Sequence, residues 1–168
     1  MNATLFVALF IIIAVVLFGM VLTWSNRNKK KKERRKLIAA FDDFVIKNNL
    51  TIDKKQAINK SMIGIDRLNL KLVFFDNSKS FQVFHLISLE DLSACHHIKQ
   101  KNPTSGHISK IFLQCVFKNN SAEIVLPFYD EMTDQLFKMM RLSKKATYWQ
   151  KCINIFREAA VLSAQNEV

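Results

Sequence analysis

The chain has 168 residues, with 25 lysines and arginines against 14 aspartates and glutamates, a net charge of +11 and a mean hydropathy of +0.05. That length supports one small core and not two. Three glycines exclude a glycine-rich phosphate cradle, and three widely spaced cysteines, Cys95, Cys115 and Cys152, exclude a disulfide framework and suit a reducing compartment.

From Leu5 to Leu22 there are 18 residues without a charged or strongly polar side chain. Inside hydrocarbon a single segment satisfies its own backbone hydrogen bonds only as a helix. Eighteen residues rise about 27 Å, and Thr4, Thr23 and Trp24 at the ends extend this to a hydrocarbon core of roughly 30 Å, with Trp24 as the interfacial anchor. A cleaved signal peptide would need a charged leader and a small-residue cleavage site, and neither is present. A membrane-spanning helix within residues 1–24 is therefore expected, and its lack of GxxxG spacing gives it no pairing motif.

The run is followed by Arg27, Lys29, Lys30, Lys31, Lys32, Arg34, Arg35 and Lys36, opposed only by Glu33. Cationic flanks stay on the cytoplasmic side, so the expected topology is a single pass through the cell membrane, N-terminus outside and the remaining chain cytoplasmic. Each cation beside an anionic leaflet contributes on the order of 1 kcal/mol, which makes anionic lipid headgroups the expected contact of these eight side chains. A sequence pI near 9.7 invites a nucleic-acid partner. Most of the excess charge lies in this one run, however, and no aromatics are interleaved with it to stack on bases, which disfavours nucleic acid.

Within the basic juxtamembrane segment and amphipathic helix, residues 25–49, Leu37, Ile38, Phe41, Phe44 and Val45 recur at helical spacing and predict a helix ending at Asn48-Asn49. Its apolar stripe is expected to pack on the domain that follows. Residues 51–60 are assigned one or two further helical turns. From Ser61 the period becomes two. Met62, Ile63 and Ile65 suggest a strand and Asp66–Asn69 a turn; Leu70, Leu72 and Phe74, then Phe81, Val83, His85 and Ile87, form a hairpin around 76–79. Leu92, Ala94, His96 and Ile98 alternate up to a loop at 101–106. A second hairpin follows, with Ile111, Leu113, Cys115 and Phe117 facing Ala122, Ile124, Leu126 and Phe128 around Asn119-Asn120. Helical spacing returns with Met132, Leu136, Met139 and Met140, and again with Trp149, Ile153, Phe156 and Ala160, where Ser143 is the expected N-cap. The domain is expected over 50–162, with a frayed tail at 163–168.

Several antiparallel strands followed by a long helix, with Ile63-Gly64-Ile65-Asp66 leading into Leu70-Lys71-Leu72, then Ile87-Ser88-Leu89-Glu90-Asp91-Leu92, then Trp149 and Ile153, resemble bacterial PH-like or GRAM-like domains. The resemblance implies a PH-like antiparallel sheet closed by the C-terminal helix; with the N-terminal transmembrane helix and juxtamembrane helix read above, the expected fold class is α+β. It carries over no ligand residue.

Catalytic chemistry finds little support. Cys95, His96, His97, His107 and Cys115 are ligand types for zinc, but adjacent strand residues point to opposite faces and do not converge on one ion. The carboxylate pairs Asp42-Asp43, Glu90-Asp91 and Asp130-Glu131 lie at element edges, where capping and solvation account for them. Met132, Met139, Met140 and Phe137 are expected to pack in the core rather than form a binding surface. No catalytic, cofactor or metal site is expected. The expected function is a single-pass protein presenting a small cytosolic domain to a protein partner or an anionic lipid surface; the alternative is a tethered domain with small-ligand or metal-dependent enzyme activity.

Overall fold

The computed structural model describes residues 3–78, 82–118 and 123–166, with the side chains of 3–15, 21, 22, 26 and 162–166 outside the description. The chain divides into two compact units, Met1–Ala40 and Phe41–Val168.

Helix α1 runs unbroken over Ala3–Lys47 and begins in the first unit. Two separate helices, an anchor and a juxtamembrane one, are replaced by one, because nothing from Trp24 to Leu37 breaks it: there is no proline or glycine, and Lys, Arg and Glu are good helix formers. Among the described residues no helix is long and apolar enough to cross a membrane. Most side chains of Leu5–Leu22, the run expected to do so, lie outside those residues.

The second unit opens with the last turns of α1. The helix stops where predicted: Asn49 takes a left-handed φ of 52°, Asn48 Nδ2 donates to the Phe44 carbonyl at 2.8 Å, and the Leu50 amide reaches the Val45 carbonyl at 3.0 Å. Seven strands follow in two antiparallel meanders. The first is β1 (Lys54–Ile58), β2 (Ser61–Asp66), β3 (Lys71–Asp76) and β4 (Val83–Ser88), in that order; the second is β5 (Leu92–Lys101), β6 (Ile108–Phe117) and β7 (Glu123–Asp130). A short 3₁₀ turn at Leu136–Lys138 leads into α2 (Met139–Asn166). The architecture is α+β, with two antiparallel sheets and a C-terminal helix.

Strand β1 replaces the helical turns assigned to 51–60. Lys54-Lys55-Gln56-Ala57-Ile58 lacks a period-two pattern, and its conformation comes from pairing along β2, from Lys54 opposite Ile65 to Ile58 opposite Ser61. The hairpin tips at 79–81 and 119–122 lie outside the described residues.

Ile63, Ile65, Leu72, Phe74 and Ile87 from the first sheet, Leu92, Cys95, Ile111, Leu113, Cys115, Leu126 and Phe128 from the second, and Leu142, Ala146, Trp149 and Ile153 from α2 form one core. The other face of the first sheet is also covered. Phe41 is buried, and Phe44, Phe84 and Phe75 stack in a row with centroids 4.3 and 4.2 Å apart. Strands β2 and β3 are therefore buried on both faces, which explains why Val73 and Phe75 are as apolar as their neighbours.

One phase change was not legible. Leu92 pairs with Phe117 and Ala94 with Val116, so Ser93 is an extra residue, a β-bulge. After it the alternation inverts: Cys95 enters the core, and His96, expected on the face of Leu92, is exposed. The C-terminal helix likewise differs from expectation. Leu142 and Ala146 continue the inward stripe of Trp149 and Ile153, so α2 has no break and Ser143 is an interior residue rather than an N-cap.

Candidate functional site

Trp24 and the eight cations from Arg27 to Lys36 lie on one uninterrupted stretch of α1, and all are exposed. Consecutive helical positions turn by about 100°, so eight cations within ten positions surround the helix as a collar instead of forming a stripe. Such a collar gives long-range attraction to anionic surfaces without a shaped binding pocket.

In the second unit, the candidate site is a cavity of about 380 Å³ between the β3–β4 hairpin and the β5–β7 sheet. Apolar side chains, including Phe74, Ile111 and Pro127, form much of its wall. His85, on β4 opposite Phe74, stands with its ring centroid 6.5 Å from the phenyl ring. Lys110 faces Asp130 across the β6–β7 ladder and Gln100 across β5–β6. Asp76, nearly buried, accepts hydrogen bonds from Ser61 Oγ at 3.1 Å and the Ser78 amide at 2.9 Å. Burial, followed by the charges of Glu131, Asp134 and Asp130, pushes the Tyr129 phenol above its ordinary value, which favours the neutral hydroxyl. The volume and the mixture of apolar wall with a few convergent polar groups suit a small amphipathic molecule.

The cysteine and histidine cluster does not converge on one point. Cys95 and Cys115 face each other across the β5–β6 ladder, both buried in the core. Their mutual hydrogen bond and their burial raise the Cys115 thiol far above its ordinary value, which opposes the thiolate that metal binding or nucleophilic attack needs. His97 Nδ1 lies 3.2 Å from Thr147 Oγ1, its Nε2 has no hydrogen-bond partner, and burial and then Lys99 lower its pKa. His96 and His107 are exposed. Among the described residues no group of three or more His, Cys, Asp or Glu side chains could hold a metal ion.

The methionine prediction is overturned in part. Met139 packs against the core, but Met132, Phe137 and Met140 are exposed, because the inward face of α2 is already filled by Leu142, Ala146 and Trp149. That filling was available in the sequence as a signal. The cavity was not: its residues come from five strands and share no local pattern.

Comparison with protein-family models, with curated proteins and with solved structures gives no match.

Proposed function

We propose that this chain is a single-pass membrane protein whose Leu5–Leu22 run anchors a small cytoplasmic domain of PH-like architecture, which serves as an interaction module for a protein partner or an anionic lipid surface. The observation that carries the reading is the apolar run followed directly by the one-sided collar of eight cations. Four plus three antiparallel strands with a closing helix support the PH-like part. The free thiols of Cys95, Cys115 and Cys152 are in keeping with a reducing compartment. The cavity beside His85 and Lys110 favours the small-ligand half of the alternative, a tethered ligand-binding or enzyme domain.

Alkaline carbonate extraction of membranes tests the anchor. The full chain is expected to remain in the pellet and a chain lacking residues 1–24 to move to the supernatant; full-length protein released by carbonate would overturn the reading. Topology is read from Leu86→Cys, an exposed position on β4. A membrane-impermeant maleimide should reach it only after lysis.

A further inference from the structure

Helix α2 turns one face inward and leaves the other uncovered. On the uncovered face Met140, Arg141, Lys144, Tyr148, Lys151 and Ile155 recur at three- and four-residue spacing. At its start Met132, Leu136 and Phe137 extend the apolar part, and these large side chains are 85%, 69% and 78% exposed, with Met140 69% and Ile155 61%. Six exposed or half-exposed large apolar side chains fall between Met132 and Ile155, Tyr148 included, more than scattered surface residues require.

The charge is as one-sided as the apolarity. From Leu136 to Arg157 there are six cations and no acid. Lys145 turns inward to the Ala57 carbonyl at 2.8 Å, and Arg157 binds the Ser93 carbonyl and Glu158. Arg141, Lys144 and Lys151 are exposed and make no ion pair among the described residues. Asp130, Glu131 and Asp134 precede this stretch; Asn59 donates to Asp134 at 2.8 Å and Asn102 to Glu131 at 3.2 Å, bonds that hold the two carboxylates in place without cancelling their charge, so the cationic face begins at Leu136. Beside Tyr148 the face meets an open groove of about 580 Å³ lined by Asp53, Lys54, Lys55, Gln56 and Trp149, of mixed charge, where Lys55 pairs with Asp42 at 2.6 Å and Asp53 accepts the Arg67 amide at 2.8 Å.

We propose that this outer face of α2, with Leu136 and Phe137 at its start, is a docking surface for an anionic lipid bilayer. The inference deepens the interaction-module reading and rests on it. A folded partner would take an apolar helix face into a groove, whereas here Arg141, Lys144 and Lys151 are interleaved with the apolar side chains along the face, the composition of a helix that lies in a membrane interface. A bilayer interface fits such a face: apolar side chains enter the boundary between headgroups and acyl chains, and lysine and arginine stay at headgroup level. Met140 to Ile155 spans about 22 Å of helix, long enough for several headgroups to be engaged together.

The test uses the full chain reconstituted with vesicles of phosphatidylcholine alone or of phosphatidylcholine and phosphatidylserine in equal parts. Phe137→Cys or Leu86→Cys carries an environment-sensitive fluorophore, the native thiols being buried. Position 86 lies on β4, at the opposite edge of the first sheet from β1. The label at 137 is expected to shift to the blue and to be quenched by brominated acyl chains in phosphatidylserine vesicles but not in neutral ones. The label at 86 should stay aqueous in both. Arg141→Glu with Lys144→Glu and Lys151→Glu should return position 137 to water while leaving the unfolding midpoint near that of the parent, since all three side chains are exposed. An aqueous label at 137 on phosphatidylserine vesicles, an equal shift at 86, or a shift that survives the triple charge reversal would overturn the docking surface. Failure of the anchor reads differently: the chain would not float with neutral vesicles, and the same labels would still report on the face when phosphatidylserine vesicles are added.

Discussion

Asp66 shows how a single buried charge is made tolerable. It has no exposed surface, yet its carboxylate accepts the Thr51 amide at 2.7 Å, the Asn69 amide at 2.9 Å and Asn69 Nδ2 at 2.7 Å. Burial raises its pKa, but the hydrogen bonds from the Asn69 side chain and from backbone amides outweigh that and hold it below the usual carboxylate value. With the folded pKa below the unfolded value of about 3.9, the unfolded chain takes up the proton first. The stabilisation is then complete above that value and is lost as pH falls through the lower folded pKa. Asp66→Asn is expected to lower stability at neutral pH by about 1–3 kcal/mol, and the gap from the parent should shrink as acid is added, as read by urea midpoints across the acid range. The sequence showed Asp66–Asn69 as a turn without showing why the acid would be buried. The strand pattern gives a side chain's facing and not its partners, and Thr51 approaches from fifteen positions away.

At the scale of the element, Gly64 marks where the end of α1 meets the first sheet within the second unit. A Cβ there would lie 2.8 Å from Phe41 Cζ, 3.1 Å from Ile52 Cγ2 and 3.3 Å from the Lys54 carbonyl oxygen. Gly→Ala at a compatible site gains about 0.4–1 kcal/mol, whereas overpacking costs about 1–3 kcal/mol. With three atoms this close, one of them backbone, overpacking wins. Gly64→Ala is expected to destabilise, and adding Phe41→Leu should restore part of the loss, visible as non-additivity in a denaturation cycle. The elements themselves were largely legible: the end of α1, the strands β2, β3, β6 and β7 and the loop at 101–106 follow from periodicity and turn residues. Strand β1 and the bulge at Ser93 were not, since the first is imposed by its neighbour and the second leaves no local signature.

At the scale of the molecule, the sheets and α2 share one core, and Trp149 joins them. It is buried, and its Nε1 donates to Gln56 Oε1 at 2.8 Å, connecting the C-terminal helix to the first strand. Trp149→Ala is expected to cost about 3–5 kcal/mol, a large share of a typical total of roughly 5–15 kcal/mol. Far- and near-ultraviolet circular dichroism should report the same lowered midpoint; separate midpoints would mean that the sheets do not unfold together. The candidate sites were less legible than the fold. The collar is contiguous in sequence and was read directly, whereas the cavity and the outer face of α2 emerge only when the strands and the filled face of the helix are placed. The same connection bears on how the chain is made. Each sheet is a meander, so within a sheet every strand after the first pairs with the one just before it, and during synthesis these ladders can form as the chain emerges. Gln56 must wait for Trp149, 93 positions later. Until α2 leaves the ribosome, the nascent sheets present an open apolar face, and that interval is when a chaperone has most to protect.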